Sequence, residues 1–353
     1  MITSIRLQHY RSYDDASYDL DEGVTIIVGP NASGKTNLLE ALLVVARGGS
    51  YRVRDADLIA FNQPWARLDA RADGVVRTVK LLREPNPEKL YEIDGKTLKR
   101  LTIDHLIPAV LFEPNHLLLL GGSPDRRREY LDELLGQTIV GYGTLLRAYR
   151  RTLAQRNRLL KSQHIVRDEL FPWNIRLSEL GARIVRARVG LVEQIAELIG
   201  GLYGELSGAS TPVTIVYRAG AEPGQYETNM LHQLGARLQD DIARGFTSFG
   251  PHREDFTVLF SGRPAQEVAS RGETRTAVLC LKVVELQLLQ ARRSQPPILL
   301  LDDVFSELDA VRRRALTTHM RPYQTFITTT DADMLGRQFA ARCRIIATQE
   351  GLA

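Results

Sequence analysis

The sequence predicts an α/β fold that builds one phosphate site from two distant segments, with a helical subdomain inserted between them. Three observations predict it. An apolar strand, Val24–Val28, runs into Gly29-Pro30-Asn31-Ala32-Ser33-Gly34-Lys35-Thr36 and then into a helical Leu/Ala pattern over Asn37–Ala46. A second apolar strand, Ile298–Leu301, ends in Asp302-Asp303. Between them, after Gly121-Gly122-Ser123-Pro124, the texture changes, and apolar residues from Asp125 to about Leu206 recur at helical spacings of three and four.

The remaining elements follow in order. Ile5, Leu7 and His9 alternate as in a strand, a start unlike the unbroken apolar run of a signal peptide. Val75–Leu82 and Tyr91–Ile93 read as antiparallel strands separated by the turn-rich Glu84-Pro85-Asn86-Pro87. Val110–Phe112 is a short strand ended by Glu113-Pro114. In the helical tract, Leu145, Tyr149 and Leu153 mark one helix; Leu177, Leu180, Ile184, Leu191, Ile195 and Leu198 mark another. No heptad persists, which disfavours a long coiled coil. Strands return at Pro212–Tyr217 and Phe256–Phe260, a long helix spans about Glu273–Arg292, and a helix near Asp309–His319 precedes strands Thr325–Thr329 and Arg344–Ala347. The domains expected are a split head, 1–124 with 207–353, and an inserted helical subdomain, 125–206.

A chain of 353 residues with 44% hydrophobic residues supports two packed cores. No apolar run is long enough to span a membrane, and Cys280 and Cys343 read as reduced core residues of a cytoplasmic protein. The net charge of +4 is unevenly spread. Residues 125–200 carry 14 Arg or Lys against 9 Asp or Glu; the remainder carries 32 against 33. The positive excess therefore lies in the insertion, readable as a phosphate-facing surface or as an ordinary solvated one rich in Arg by composition.

Strand, glycine loop and helix together form the context in which a P-loop match is meaningful. Gly29 and Gly34 let successive amides face phosphate oxygens, and the helix N-terminus adds its partial charge. Lys35 reaches the β- and γ-phosphates of ATP, and the Thr36 hydroxyl coordinates Mg²⁺. Asp302 emerges at a strand's carboxyl edge to hold Mg²⁺ through water; Asp303 stands where a carboxylate orients or deprotonates the attacking water. Ser270-Arg271-Gly272-Glu273, opening the long helix, is readable as an N-cap or as a second anion site. Two helix N-termini serve one triphosphate when they approach from opposite sides, a geometry met across a dimer interface.

The set Tyr10-Arg11-Ser12-Tyr13, Gly29–Thr36, Ser270–Glu273, Asp302-Asp303 and Ser306–Asp309 resembles the ABC-type ATPase heads of the SMC superfamily. Phe112-Glu113-Pro114, Gly122–Arg128, Gly250–Asp255, Leu300–Asp309 and Phe326–Thr330 resemble, within it, the RecF family of bacterial recombination mediators. The resemblance implies an ABC-type head, with a P-loop core of mixed sheet, an antiparallel β segment and a helical insertion. It implies ATP contacts at Gly29, Pro30, Asn31, Ala32, Ser33, Gly34, Lys35, Thr36, Asn37 and Arg11. Ser270, Arg271, Gly272 and Glu273 then act in trans on a partner's γ-phosphate, Ser306 and Asp309 lie along the dimer interface, and Glu113 joins Thr36 and Asp302 at the metal. It also implies an ATP-dependent head-to-tail homodimer that clamps duplex or gapped DNA, works with RecO and RecR to load RecA, and resets by slow hydrolysis.

The sequence departs from the pattern at three positions. Asp303 replaces the Glu found in most ABC-type ATPases, Thr replaces the switch His in Thr328-Thr329-Thr330, and Glu273 stands where Gln is common. No base-reading module is present, so DNA contact is expected through phosphates. The candidates are Arg52, Arg54, Arg126, Arg127, Arg128, Arg147, Arg150 and Arg151. The competing classes are a transporter-type nucleotide-binding subunit and an SMC-like structural ATPase. The first lacks support in the split site and the second in the short, heptad-free insertion.

Overall fold

The computed structural model describes residues 1–85, 87–162, 167–330 and 343–348. The chain divides into two compact units, one of Met1–His116 with Glu285–Ala353 and one of Leu117–Val284.

The first unit begins with β1 (Ile2–Tyr10), β2 (Tyr13–Asp19) and β3 (Val24–Val28), then α1 (Lys35–Arg47). β4 (Trp65–Ala72), β5 (Val75–Leu82), β6 (Glu88–Ile93), β7 (Lys96–Leu98) and β8 (Ala109–Phe112) follow. Six of these strands form an antiparallel sheet in the order β2-β1-β4-β5-β6-β7. Two of its hairpins turn on Asp73-Gly74 and Asp94-Gly95, all four residues at positive φ, the Asp-Gly chemistry that matches strand twist.

The second unit holds α2 (Pro124–Thr138), α3 (Tyr142–Leu159), α4 (Arg167–Ser207) and β9 (Val213–Arg218). It continues with α5 (Tyr226–Ala236), α6 (Leu238–Arg244), β10 (Asp255–Phe260), β11 (Arg263–Pro264), the short α7 (Ala265–Val268) and most of α8 (Arg271–Arg292). The expected helical stripe is its core: Tyr149, Leu177, Leu180 and Ile184 are buried with Tyr226 and Met230. Leu198, counted in the same stripe, is exposed, because it lies off the face of α4 that packs. The unit extends well past the tract 125–206. A small antiparallel sheet, β11-β10-β9, and α5 pack against α4, so a change of periodicity near residue 206 is not a change of compact unit.

On returning to the first unit, the chain forms β12 (Ile298–Asp302), α9 (Ala310–Met320), β13 (Thr325–Thr329) and β14 (Cys343–Ala347). These complete a parallel sheet in the order β14-β3-β13-β12-β8. α1 packs against strands of both sheets, burying Leu38, Leu39, Leu42 and Val45, which is why its apolar residues run nearly all round. Because all five strands run parallel, their carboxyl ends share one edge. That edge carries Gly29, Glu113, Asp302, Thr329 and Thr348. Both cysteines are free, and burial pushes the Cys280 thiol up to about 12. Among the described residues no helix is long and apolar enough to cross a membrane.

Candidate nucleotide site

The loop after β3 has the backbone its glycines predict. Gly34 sits at φ +92° and caps α1, while the Tyr13 hydroxyl donates to its carbonyl at 3.1 Å. A Cβ on Gly29 would stand 2.3 Å from Thr348 Oγ1, so no larger residue fits there. Thr348 itself lies 2.6 Å from Ser33 Oγ and 3.2 Å from the Val28 carbonyl, clasping the loop to the residue after β14. Lys35 Nζ donates to the Gly29 and Pro30 carbonyls at 2.7 and 2.6 Å. Its side chain is largely buried, and desolvation lowers its pKa against the opposing pull of Asp303 and Asp302.

β12 brings the second half. Thr36 Oγ1 donates to Asp302 Oδ1 at 3.0 Å across 266 residues of sequence. Thr328 Oγ1 donates to the same oxygen at 2.7 Å, and Tyr51 OH donates to Asp302 Oδ2 at 3.1 Å. Glu113 follows Phe112, which pairs with Leu301, so it stands beside Asp302 at the strand edge. It contributes to raising the Tyr51 pKa, after burial and Asp302. Hydroxyl and carboxylate oxygens without sulfur or imidazole are the hard donor set that suits Mg²⁺. Among the described residues no three His, Cys, Asp or Glu side chains form a metal cage by themselves, so phosphate oxygens would complete the shell, as is usual for Mg²⁺.

Asp303 adopts φ +52°, left-handed backbone that Asp tolerates better than most residues. Its amide donates to Thr328 Oγ1 at 2.9 Å, and its carbonyl accepts from Ser306 Oγ at 2.6 Å. Burial raises the Asp303 carboxyl above its ordinary range, with Ser306 and Lys35 opposing and Asp302 and Glu307 adding. A carboxylate made more basic and placed one residue past the metal-facing Asp302 is chemically suited to take a proton from water.

Arg11, expected to contact ATP, is held by protein partners. Its Nε and Nη2 donate to Glu40 at 2.9 and 3.2 Å, and its Nη1 donates to the Asp57 carbonyl at 3.2 Å. Glu40 is fully buried on α1, and a charge removed from water demands such a partner. Asn37 Nδ2 donates to Ser12 Oγ at 3.0 Å. Ser270 and Glu273 form a reciprocal capping box, Ser270 N to Glu273 Oε2 at 2.8 Å and Glu273 N to Ser270 Oγ at 3.3 Å. Asp309 caps α9 by accepting from Arg312 N at 2.9 Å, and it lies exposed with Ser306.

The arginine candidates divide sharply. Arg127 is buried, bound to Asp255 through three contacts of 2.7–3.1 Å and to the carbonyls of Leu119, Leu120 and Gly122. This corrects its assignment to DNA, since its donors face protein. Arg128 bonds the Glu254 carbonyl at 2.8 Å and Asp125 at 2.5 Å, leaving little of it to solvent. Arg52, Arg54, Arg126, Arg147, Arg150 and Arg151 are exposed. Part of the positive excess is internal: Arg127 and Arg156 pair with Asp255 and Asp241, both beyond residue 200. His252 is structural as well. Its Nε2 must donate to the Thr247 carbonyl at 3.0 Å, so its Nδ1 accepts from Tyr149 OH at 2.7 Å. Arg253 lies over the Phe246 ring, 4.7 Å from its centroid.

Tyr51, Glu40 and Thr348 are the site residues that pattern reading missed. Thr328, in the threonine run the sequence marks, bonds Asp302.

A family model described as the RecF/RecN/SMC N terminal domain matches residues 1–352. The DNA replication and repair protein RecF of Roseiflexus castenholzii is 34% identical over 387 residues, covering 99% of this chain and 98% of that protein. Its namesake from Geobacter sulfurreducens is 35% identical over 345 residues, covering 95% and 94%. Among solved structures, the recombination mediator protein RecF with ATPrS, of the RecFOR pathway, superposes with a TM-score of 0.86 at 31% identity, covering 94% of this chain and 92% of that one. An SMC head bound to the C-winged helix domain of ScpA shares the fold, with a TM-score of 0.55 at 16% identity and coverage of 95% and 91%. Similarity of this length, in a fold that already brings Thr36 to Asp302, makes the chain a member of the RecF family.

Proposed function

We propose that this chain is an ATP-gated DNA-binding protein of bacterial replication and repair, acting in the cytoplasm as a switch rather than as a rapid enzyme. The observation that carries the reading is the 3.0 Å bond from Thr36 to Asp302, which assembles a P-loop and its acidic strand into one site. Lys35 exchanges the Gly29 and Pro30 carbonyls for phosphate oxygens, while the loop amides and the start of α1 hold the rest of the triphosphate. Thr36 and Asp302, with Glu113 alongside, would hold Mg²⁺, which would neutralise charge on the phosphate oxygens. Asp303 orients the attacking water and accepts its proton, and the shorter reach of Asp compared with Glu keeps turnover slow.

Ser270 Oγ already accepts from the Glu273 amide, so its own O–H is left to donate. In a head-to-tail dimer that hydroxyl, with the Gly272 amide, caps the γ-phosphate bound by the partner's loop. The exposed Ser306 and Asp309 lie along the same interface. The closed dimer clamps duplex or gapped DNA through phosphates, which makes affinity salt-sensitive and largely independent of sequence. RecO and RecR are the partners that the family relationship supports, with RecA loading as the outcome.

Sedimentation with and without ATP, Mg²⁺ and duplex DNA tests the reading. The native chain is expected to dimerise and to travel with duplex only when ATP is present. Ser270→Arg is expected to bind ATP yet remain monomeric; a Ser270→Arg dimer of native stability would sink the assignment in trans.

A further inference from the structure

The connection between α2 and α3 breaks the usual chemistry of a surface turn. The Ile139 carbonyl accepts from the Tyr142 amide at 3.2 Å, and Gly141 sits at φ +79° and ψ −3°, the angles of the third position of a type II turn. That geometry requires Gly141 but nothing apolar before it, where Pro or a polar residue serves. Yet Val140 stands there with 78% of its surface exposed, and Ile139 beside it is exposed as well. The Ile139 amide pins the turn further by donating to the Leu135 carbonyl at 2.9 Å. Two branched aliphatic side chains are thus displayed in a fixed place.

They help to line a groove of about 310 Å³ within the second unit. Buried Tyr142 and half-buried Leu145 of α3 line it too, with the exposed Arg183 and Arg186 of α4. The Tyr142 hydroxyl is committed to Asp132 at 2.5 Å, so the ring alone is left for the groove. Among the described residues no acidic side chain lines it, and neither arginine has a hydrogen bond or an ion pair. Three residues apart on one helix, the two cations are neighbours of like charge. Arg127, Arg156 and Arg188 of the same unit are each matched by a carboxylate. Local rules broken with no gain inside the chain point to a partner outside it.

Unpaired guanidinium groups beside aliphatic side chains complement a segment that carries one apolar residue between carboxylates. The Arg fork gives a carboxylate two parallel bonds, and the apolar side chains take an anchor out of water. A nucleic-acid backbone is a poorer match, because its phosphates bond polar and charged groups and gain nothing from Val140 or Ile139. We propose that this groove docks an acidic segment of a partner protein, with Arg183 and Arg186 taking its carboxylates and Val140 and Leu145 its apolar anchor. No residue of the groove belongs to the nucleotide site, so the proposal is independent of the ATP reading.

The probe is a displayed library of random seven-residue peptides, selected on the full native chain without nucleotide. Enriched peptides are expected to carry two or more Asp or Glu around one aliphatic or aromatic residue. The most enriched one, synthesised with a fluorescent label, is then titrated by anisotropy. It is expected to bind Arg183→Glu/Arg186→Glu at least tenfold more weakly and Val140→Ser about fivefold more weakly. All three positions are exposed, and circular dichroism and melting check that the variants keep the fold. Arg244→Glu, an exposed charge outside the groove, is expected to bind as the native chain does. A library that yields no acidic family overturns the proposal, as does a peptide indifferent to Val140→Ser or weakened equally by Arg244→Glu. Loss of ATP-dependent duplex binding in the double variant, with no acidic peptide enriched, overturns it in favour of a DNA contact. Self-association of the native chain without ATP, abolished by the double variant, overturns it in favour of a second copy.

Discussion

The buried charges of the second unit and those of the first unit's phosphate site are partnered in opposite ways. In the second unit Arg156 and Asp241, both essentially inaccessible, form an ion pair at 2.8 Å; Asn174, Thr247 and the Leu234 carbonyl take further guanidinium donors. Arg188 grips Asp132 with two 3.0 Å bonds and donates to the Pro251 carbonyl at 2.7 Å. Most of these donors are taken by protein partners, so the groups define the packing. In the first unit's phosphate site Lys35 rests on two loop carbonyls, and Asp302 accepts from the neutral hydroxyls of Thr36, Tyr51 and Thr328. Neutral partners are readily exchanged for phosphate and metal; a matched opposite charge is not. Similar residue types thus build a scaffold in one unit and a receptor in the other.

That contrast breaks most visibly at Arg156. Arg156→Met strands the Asp241 carboxylate and is expected to cost about 3–5 kcal/mol in denaturant unfolding, with ATP affinity unchanged in the folded fraction. A loss below about 1 kcal/mol would show that the second unit relaxes around the missing charge. Lys35→Met is expected to do the reverse. ATP binding, followed by calorimetry, falls by roughly a hundredfold, because charge-assisted bonds worth about 3 kcal/mol are removed. Unfolding without nucleotide shifts by less than about 1 kcal/mol, since Met keeps the aliphatic packing. A large loss of unliganded stability would erase the distinction between the units.

His252 sharpens the comparison more gently. Burial lowers its pKa from 6.5 to about 4, so the folded protein holds it neutral. Between those values the unfolded chain carries a proton that the native chain lacks, and stability falls as pH is lowered. The slope approaches about 1.4 kcal/mol per pH unit within the window and vanishes below it. Melting temperatures of the native chain and His252→Gln from pH 7 to pH 4 measure this, and equal slopes would remove His252 as the cause.

The elements of the parallel sheet were legible because each is a local pattern: an apolar run, a glycine loop, an acidic end. Thr36 and Asp302 were identifiable separately, and the fold supplies their meeting. Glu40 was not legible, since an acid in a helical Leu/Ala pattern reads as a surface residue until Arg11 is seen beneath it. Tyr51 and Thr348 act through register and strand ends that no nearby spacing encodes. Arg127 was misassigned for the converse reason: three consecutive arginines look alike in sequence, and only the helix face separates the buried one from Arg126, which faces solvent. The extent of the second unit was hidden because β9 and β10 look like strands of any sheet.

The sheet order β14-β3-β13-β12-β8 has a consequence for how the molecule is made. Both neighbours of β3 are translated after Asp302, and Thr36 leaves the ribosome 266 residues ahead of that aspartate. At roughly 5–20 residues per second, β3 and its loop wait tens of seconds without their strand partners. Residues 117–284 emerge within that interval as one continuous stretch and carry their own core. The helical unit is therefore expected to fold first on the nascent chain, and nucleotide binding to arise as one of the last events of synthesis.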